Sequence, residues 1–299
     1  MPRIPDWIRL KWKVDSDFAK VHNLVGGLGL HTVCQSAKCP NIHECWGAGT
    51  ATIMLLGNLC TRHCKFCSVP HGRPLAVDLD EPRRVATAAK GMTNLQHIVL
   101  TSVNRDDLPD GGAAIFAETI TLLREMIPGL TIEVLTPDFE GNESAMQTVF
   151  NAYPDVFSHN VETVARLQAV IRPQASYGRS LSVIKAGAAW RPKMAVKTGI
   201  MLGMGETDAE VVQTMEDLYA AGCRIITLGQ YLQPTRHNRP VERYVMPREF
   251  DAYAEIARKI GFAGVASGPM VRSSYKADEL FKSALEHDPE LVAARCVTS

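Results

Sequence analysis

Six of the chain's eight cysteines fall between Cys34 and Cys67, in two groups of three. The second group is Cys60-x3-Cys64-x2-Cys67. Three thiolates on one short loop can hold three irons of a cubane cluster and leave the fourth iron open to a small molecule. Phe66, just before the last cysteine, stands where it could shield one side of that molecule. Zinc is the plain alternative, with His63 or His71 as a fourth ligand. The first group, Cys34-x4-Cys39-x5-Cys45, is a weaker pattern alone, and zinc with His43 would account for it. Beside the second group in one window, it reads as a second cluster that needs a distant fourth ligand.

The elements that must position these thiols follow a strand–helix rhythm from residue 50 onward. Strands are expected at Thr52–Gly57, His97–Val103, Leu130–Pro137, Asp155–Glu162 (with its loop), Val196–Met204 and Arg224–Gln230. Helices are expected at Glu81–Met92, Gly111–Ile127, Glu143–Tyr153, Arg179–Trp190, Asp208–Gly222 and Arg248–Gly261. The strands are continuous apolar runs, as parallel strands buried on both faces should be. Repeated right-handed β-α units predict an α/β fold, a partial (β/α)6 TIM-type barrel, with a doubly wound open sheet as the competing architecture. Polar site residues then belong at the carboxyl ends of the strands, and Cys60 follows the first of them. Three segments result. Residues 1–49 form an irregular N-terminal extension in which "GGLGL" is a flexible approach. Residues 50–262 form the barrel, and residues 263–299 a C-terminal extension.

Lysine plus arginine equals aspartate plus glutamate at 32 each, so nothing favours nucleic acid or an anionic membrane as a partner. No apolar run approaches the ~18 residues of a membrane span. The first residues lack the apolar core of a secretory signal. A cytoplasmic, reducing location is the expectation, and there clustered cysteines are metal or redox ligands more often than disulfides.

"CTRHCKFC" fits the CxxxCxφC signature, φ being aromatic, of radical S-adenosylmethionine enzymes. "LHTVCQSAKCPNIHECW", "TSVNRDDLPDGG", "GIMLGMGE", "GQYLQPTRHNRPVERYVMPREF" and "GPMVRSSY" together resemble the lipoyl synthase family over roughly residues 3–280. The resemblance implies a sulfurtransferase with two [4Fe–4S] clusters. Cys60, Cys64 and Cys67 would hold the cluster that binds S-adenosylmethionine and releases a 5′-deoxyadenosyl radical. Cys34, Cys39 and Cys45 would hold an auxiliary cluster whose fourth ligand is Ser274, a residue that would otherwise read as a helix cap or loop hydroxyl. The substrate would be an octanoyl chain on a lysine of a lipoyl carrier domain. Two sulfurs from the auxiliary cluster would enter at C6 and C8, at two S-adenosylmethionines per lipoyl group. Implied partners are the glycine cleavage H protein, E2 subunits of 2-oxoacid dehydrogenases, an electron donor such as ferredoxin or flavodoxin, and iron–sulfur assembly proteins. The rival from another class is a zinc-stabilised barrel that binds a partner and does no redox chemistry.

By the same resemblance, Asp110, Gly111 and Gly112 lie where relatives receive the methionine amino group; the plain alternative is a capped turn before a helix. Asn160 and Glu162 lie where relatives contact ribose, and Gly199, Gly203 and Glu206 where the backbone meets adenine. Lys197 and Arg172 are possible carboxylate partners, with surface charge as the default. Arg236 and His237 in "QPTRHN" are expected at the end of the barrel that would meet a carrier protein, with a solvated loop as the plain alternative. Cys223 reads as a small core residue and Cys296 as unrelated to the clusters. Two departures stand out: Gln35 replaces an expected glutamate, and Lys276 an expected histidine.

Overall fold

A computed structural model describes residues 4–8, 16–47, 52–92, 95–190, 194–289 and 291. Cys296 lies outside them. The chain divides into two units. One comprises Leu10–His63 and Ser68–Asp155; the other comprises Met1–Arg9, Cys64–Cys67 and Val156–Ser299.

The first unit begins with α1 (Ser16–Gly27), β1 (His31–Thr32), α2 (Val33–Ser36) and α3 (Ile42–Gly47). The leader expected to be irregular is therefore partly helical. Val21 and Val25, four residues apart, are both buried and give α1 its inner stripe. The glycine run closes that helix: Gly29 takes φ +61°, and the Leu30 amide donates back to the Val25 carbonyl at 3.0 Å. The strands β2 (Thr52–Leu55), β3 (His97–Ser102) and β4 (Thr131–Leu135) pair in parallel, and β1 pairs antiparallel with β2. α4 (Glu81–Gly91), α5 (Ala113–Met126) and α6 (Glu143–Asn151) follow the three parallel strands in turn. Pro82 sits in the first turn of α4, where its missing N–H costs nothing. The buried Glu81 carboxylate accepts the Leu56 amide at 2.7 Å and ties that helix to the end of β2.

The second unit carries β5 (Val156–Ser158), β6 (Ala195–Leu202), β7 (Ile225–Gln230) and β8 (Gly264–Gly268), again parallel in chain order. Its helices are α7 (Gln168–Ile171), α8 (Tyr177–Ala188), α9 (Asp208–Ala220), α10 (Pro247–Ile260) and α11 (Ala277–His287). The cap of α9 is Thr207 rather than Asp208, in a reciprocal capping box with Glu210. Gly222 and Gly261 close α9 and α10 with positive φ, as their positions suggest. β8 is absent from the expected strands. "GVASG" offers one β-branched residue and no apolar run, so only its pairing with β7 makes it a strand. Among the described residues, no helix is long and apolar enough to cross a membrane.

Candidate functional site

In the first unit, Cys60 follows β2 after a tight exit in which Leu56 and Gly57 take φ +68° and +84°. Its backbone is fixed on both sides, by Cys60 N–H to Pro70 O and Gly72 N–H to Cys60 O, each 2.9 Å. Its sulfur accepts the Arg62 and Asn104 amides at 3.4 and 3.3 Å. Arg62, two residues on, is buried and spans two carboxylates. It makes a two-pronged pair with Asp106 and a 2.7 Å bond to Asp138. Sequence reasoning missed this triad. Its signal was the unusual charge density of "NRDD" just after a buried strand.

The first triplet belongs to the same unit. Cys34 lies in α2, capped by the Thr32 hydroxyl; the Cys39 amide returns to the Cys34 carbonyl at 2.9 Å; Cys45 lies in α3. Burial pushes the Cys45 thiol up to about 12, and the nearby Cys34 and Cys39 thiols, with Glu44, push the same way. The Cys45 sulfur therefore sits within electrostatic reach of the other two. Burial also raises Cys34, opposed by hydrogen bonding from Thr52. The Ser68 hydroxyl, next to Cys67 in sequence, donates to the Ser36 carbonyl at 2.7 Å. All six cysteines are thiols rather than disulfide halves. Among the described residues, no three His, Cys, Asp or Glu side chains converge on a single-ion position. A cubane takes one thiolate at each of its irons. Soft, clustered thiol donors suit such a cluster.

Asp110 caps α5, accepting the Gly112 and Ala114 amides at 2.9 Å each. Gly111 and Gly112 have φ +58° and +88°, so the expected helix start moves to Ala113. What lies against their bare backbones is protein: a Cβ on Gly112 would meet Leu56 Cδ1 at 2.2 Å, and one on Gly111 would meet Phe139 at 2.9 Å. A cavity of about 220 Å³ opens beside them, lined by Asn104, Asp106, Gly111, Phe139 and Asn142 among others. The Asn104 side-chain oxygen is buried there without a hydrogen bond.

In the second unit, the Cys64–Cys67 loop is a turn closed by Cys67 N–H to Cys64 O at 3.1 Å. Phe66 is half-buried and packs on the apolar cluster of this unit. Glu162 takes φ +68° and accepts from Asn160 Nδ2 at 3.1 Å, while Asn160 Oδ1 is buried and unbonded. Burial raises the Glu162 carboxyl, countered by the Arg172 charge and the Asn160 bond. Lys197 and Arg172 are not surface charges; they are 1 % and 8 % exposed. Arg172 donates to the Val161 carbonyl at 2.9 Å, which fixes it beneath the Asn160–Glu162 turn. Gly203, at φ +99°, donates to Glu206 and accepts from the Glu242 amide, and a Cβ there would meet Gln230 at 2.3 Å. Protein atoms thus hold Gly203. Gly199 faces the Asn160 and Thr227 side-chain oxygens.

Ser274 is half-buried in a turn after β8, where the Tyr275 amide bonds the Arg272 carbonyl at 3.0 Å. Arg236 and His237 are exposed. Cys223 is fully buried, its thiol near the Val196 and Ile225 carbonyls, as a small core residue should be.

The radical SAM superfamily model matches residues 54–218. The chain is 50% identical over 280 residues to the lipoyl synthase of Rubrobacter xylanophilus, covering 94% of this chain and 87% of that one. It is 53% identical to that of Chlorobaculum parvum (92% and 94% covered) and 49% identical to that of Pyrobaculum arsenaticum (98% and 99%). Among solved structures, the fold is similar to HydG, a maturase of the [FeFe]-hydrogenase. There the TM-score is 0.55 at 14% identity, with 71% of this chain and 50% of that one covered. Streptococcus suis SuiB bound to S-adenosylmethionine gives TM-score 0.55 at 10% identity, covering 76% and 53%. These neighbours bear out the expected α/β class, a partial TIM-type barrel. With half of its residues shared over nearly its whole length, this chain belongs to the lipoyl synthase family of radical S-adenosylmethionine enzymes.

Proposed function

We propose that the protein inserts two sulfur atoms, at C6 and C8, into octanoyl chains carried on a lysine of lipoyl domains. The observation that carries this reading is the pair of thiol triplets, one on the cysteine loop after β2 and one on α2, α3 and the segment between them. Cys60, Cys64 and Cys67 would hold one [4Fe–4S] cluster. Cys34, Cys39 and Cys45 would hold the auxiliary cluster, with Ser274 as its fourth ligand. When bound, the clusters and S-adenosylmethionine would supply hydrogen abstraction from unactivated C–H bonds and the sulfur itself.

The chain's own residues supply placement. Asn104 and Arg62 amides hold the Cys60 sulfur. Asn160 and Glu162 present polar groups suited to ribose hydroxyls, with Glu162 oriented by Asn160. Gly111 lines the cavity in which the methionine end of the cosubstrate would lie, and Asp110 and Gly112 flank it in sequence. Octanoylated carrier proteins, a low-potential electron donor such as ferredoxin or flavodoxin, and cluster-assembly proteins complete the cycle.

The test is an anaerobic reaction of reconstituted protein with an octanoyl-lysine peptide, S-adenosylmethionine and dithionite, read by mass spectrometry. A product heavier by two sulfurs, at two deoxyadenosines each, is expected. Ser274→Ala should retain deoxyadenosine release and lose the lipoyl product, and Cys64→Ala should lose both. Wild-type lipoyl formation by Ser274→Ala would remove that serine from the ligand set. Colourless, zinc-loaded protein would return the rival barrel.

A further inference from the structure

We infer that Asn238 is a positioning residue for the cysteine loop: its side-chain amide clamps the carbonyls of Lys65 and Cys67. The inference rests on the proposal that Cys64 and Cys67 ligate a cluster. All of its parts lie in the second unit.

Asn238 Nδ2 donates to the Cys67 carbonyl at 2.8 Å and to the Lys65 carbonyl at 3.3 Å. The next residue joins in, since the Arg239 amide donates to the same Lys65 carbonyl at 2.8 Å. From the other side, the Lys65 amide donates to the Ile171 carbonyl at 2.8 Å. Four hydrogen bonds from two distant stretches of chain thus fix a turn of four residues. Three of them come from Asn238 and Arg239.

The orientation of the amide is chemically determined. Both carbonyls can only accept, so the NH2 group must face them. The opposite atom, Oδ1, accepts from the Thr235 hydroxyl at 2.7 Å. Thr235 is held in turn by the tight turn in which the Asn238 amide returns to the Thr235 carbonyl at 3.1 Å. Gln233 Nε2 donates to the Asn238 carbonyl at 2.9 Å. The segment "QPTRHN" is therefore built to aim one amide at the cysteine loop, while Arg236 and His237 at its tip remain exposed. A thiolate ligand is placed by its backbone. Freeing the peptide after Cys67 frees the direction of its Cα–Cβ bond and loosens the metal grip, as loss of outer supporting groups commonly does.

Two near-isosteric substitutions remove the donors without leaving a hole: Asn238→Leu, neutral, and Asn238→Asp, which adds charge. Each is made in the full chain carrying Cys34→Ala, Cys39→Ala and Cys45→Ala, so that only the loop's cluster is observed. After anaerobic reconstitution, iron loss to a ferrous chelator is followed, along with the electron paramagnetic resonance signal of the reduced cluster with and without S-adenosylmethionine. Both variants should lose iron about tenfold faster or more. Their response to S-adenosylmethionine should be altered, while apo-protein melting stays that of the parent. Parental iron-loss rates and spectra in Asn238→Leu overturn the inference. So does an effect confined to Asn238→Asp, which would report charge alone. If the parent itself forms no cluster that Cys64→Ala abolishes, the cluster reading falls instead, and the two failures are told apart.

Discussion

Arg62, two residues after Cys60, and Asp106 grip each other through two hydrogen bonds, 2.8 and 2.7 Å. A further nitrogen contact reaches Asp138, whose side chain is fully buried. Removing the arginine strands at least one carboxylate in a place water does not reach. Breaking a buried pair from one side costs about 3–5 kcal/mol. Arg62→Met should lose stability on that scale in urea unfolding. Arg83→Met, which removes an exposed pair with Asp80, should lose less than about 1 kcal/mol. Equal effects would mean that the triad adds nothing beyond surface charge.

Gly112 is held by two constraints that can be separated. Its φ of +88° disfavours any side chain, and Leu56 Cδ1 lies 2.2 Å from where a Cβ would be. Gly129 shares the first constraint, at φ +83°, with nothing within 4 Å. Gly129→Ala should cost the left-handed conformation alone, about 1–2 kcal/mol. Gly112→Ala should add an overpacking cost of about 1–3 kcal/mol. Denaturant midpoints of the two variants check the difference.

Long apolar strands were legible because burial on both faces writes itself as continuous apolar runs, as in "TIML" and "HIVLTS". The cysteine positions were legible because no packing rule produces that spacing. What stayed hidden depends on distant partners. β8 is small residues that become a strand only beside β7. Lys197 and Arg172 look like surface charges until the chain around them is folded, and then both are buried. The glycines of "DGG" were legible as a turn, but not that Leu56 and Phe139 pack where their Cβ atoms would be. Asn238 lies more than 170 positions from its acceptors, so no local pattern could announce the clamp.

Glu162 gives a pH signature with a definite sign. Burial raises its folded-state pKa above the ordinary 4.5, with Arg172 and Asn160 opposing. A carboxyl raised on folding binds more protons in the native state, so stability falls as pH rises from the unfolded value through the folded one. Glu162→Gln removes that loss. The variant should match wild type or fall slightly below it under pH 4.5. Its advantage should then grow through the weakly acidic range and level off. Urea unfolding from pH 4 to pH 8 reads this out; a gap independent of pH would assign the effect to packing instead.

Gly229 carries the last prediction, because it is where β7 lets the segment bearing Ser274 pass. A Cβ on Gly229 would lie 2.1 Å from the Val271 carbonyl oxygen, a backbone atom that cannot swing aside as a side chain would. The turn after β8 must then move with Val271 and Arg272, and Ser274 with them. If Ser274 completes the auxiliary cluster, Gly229→Ala should selectively weaken that cluster. Bound iron should fall from about eight per chain toward about four. Deoxyadenosine release, which the proposed function assigns to Cys60, Cys64 and Cys67, should persist. Gly178→Ala is the matched control. That glycine is in α8 with nothing within 4 Å, and alanine there should be neutral or mildly stabilising. Full iron loading and normal lipoyl formation in Gly229→Ala would show that the turn's position is not what the auxiliary site requires.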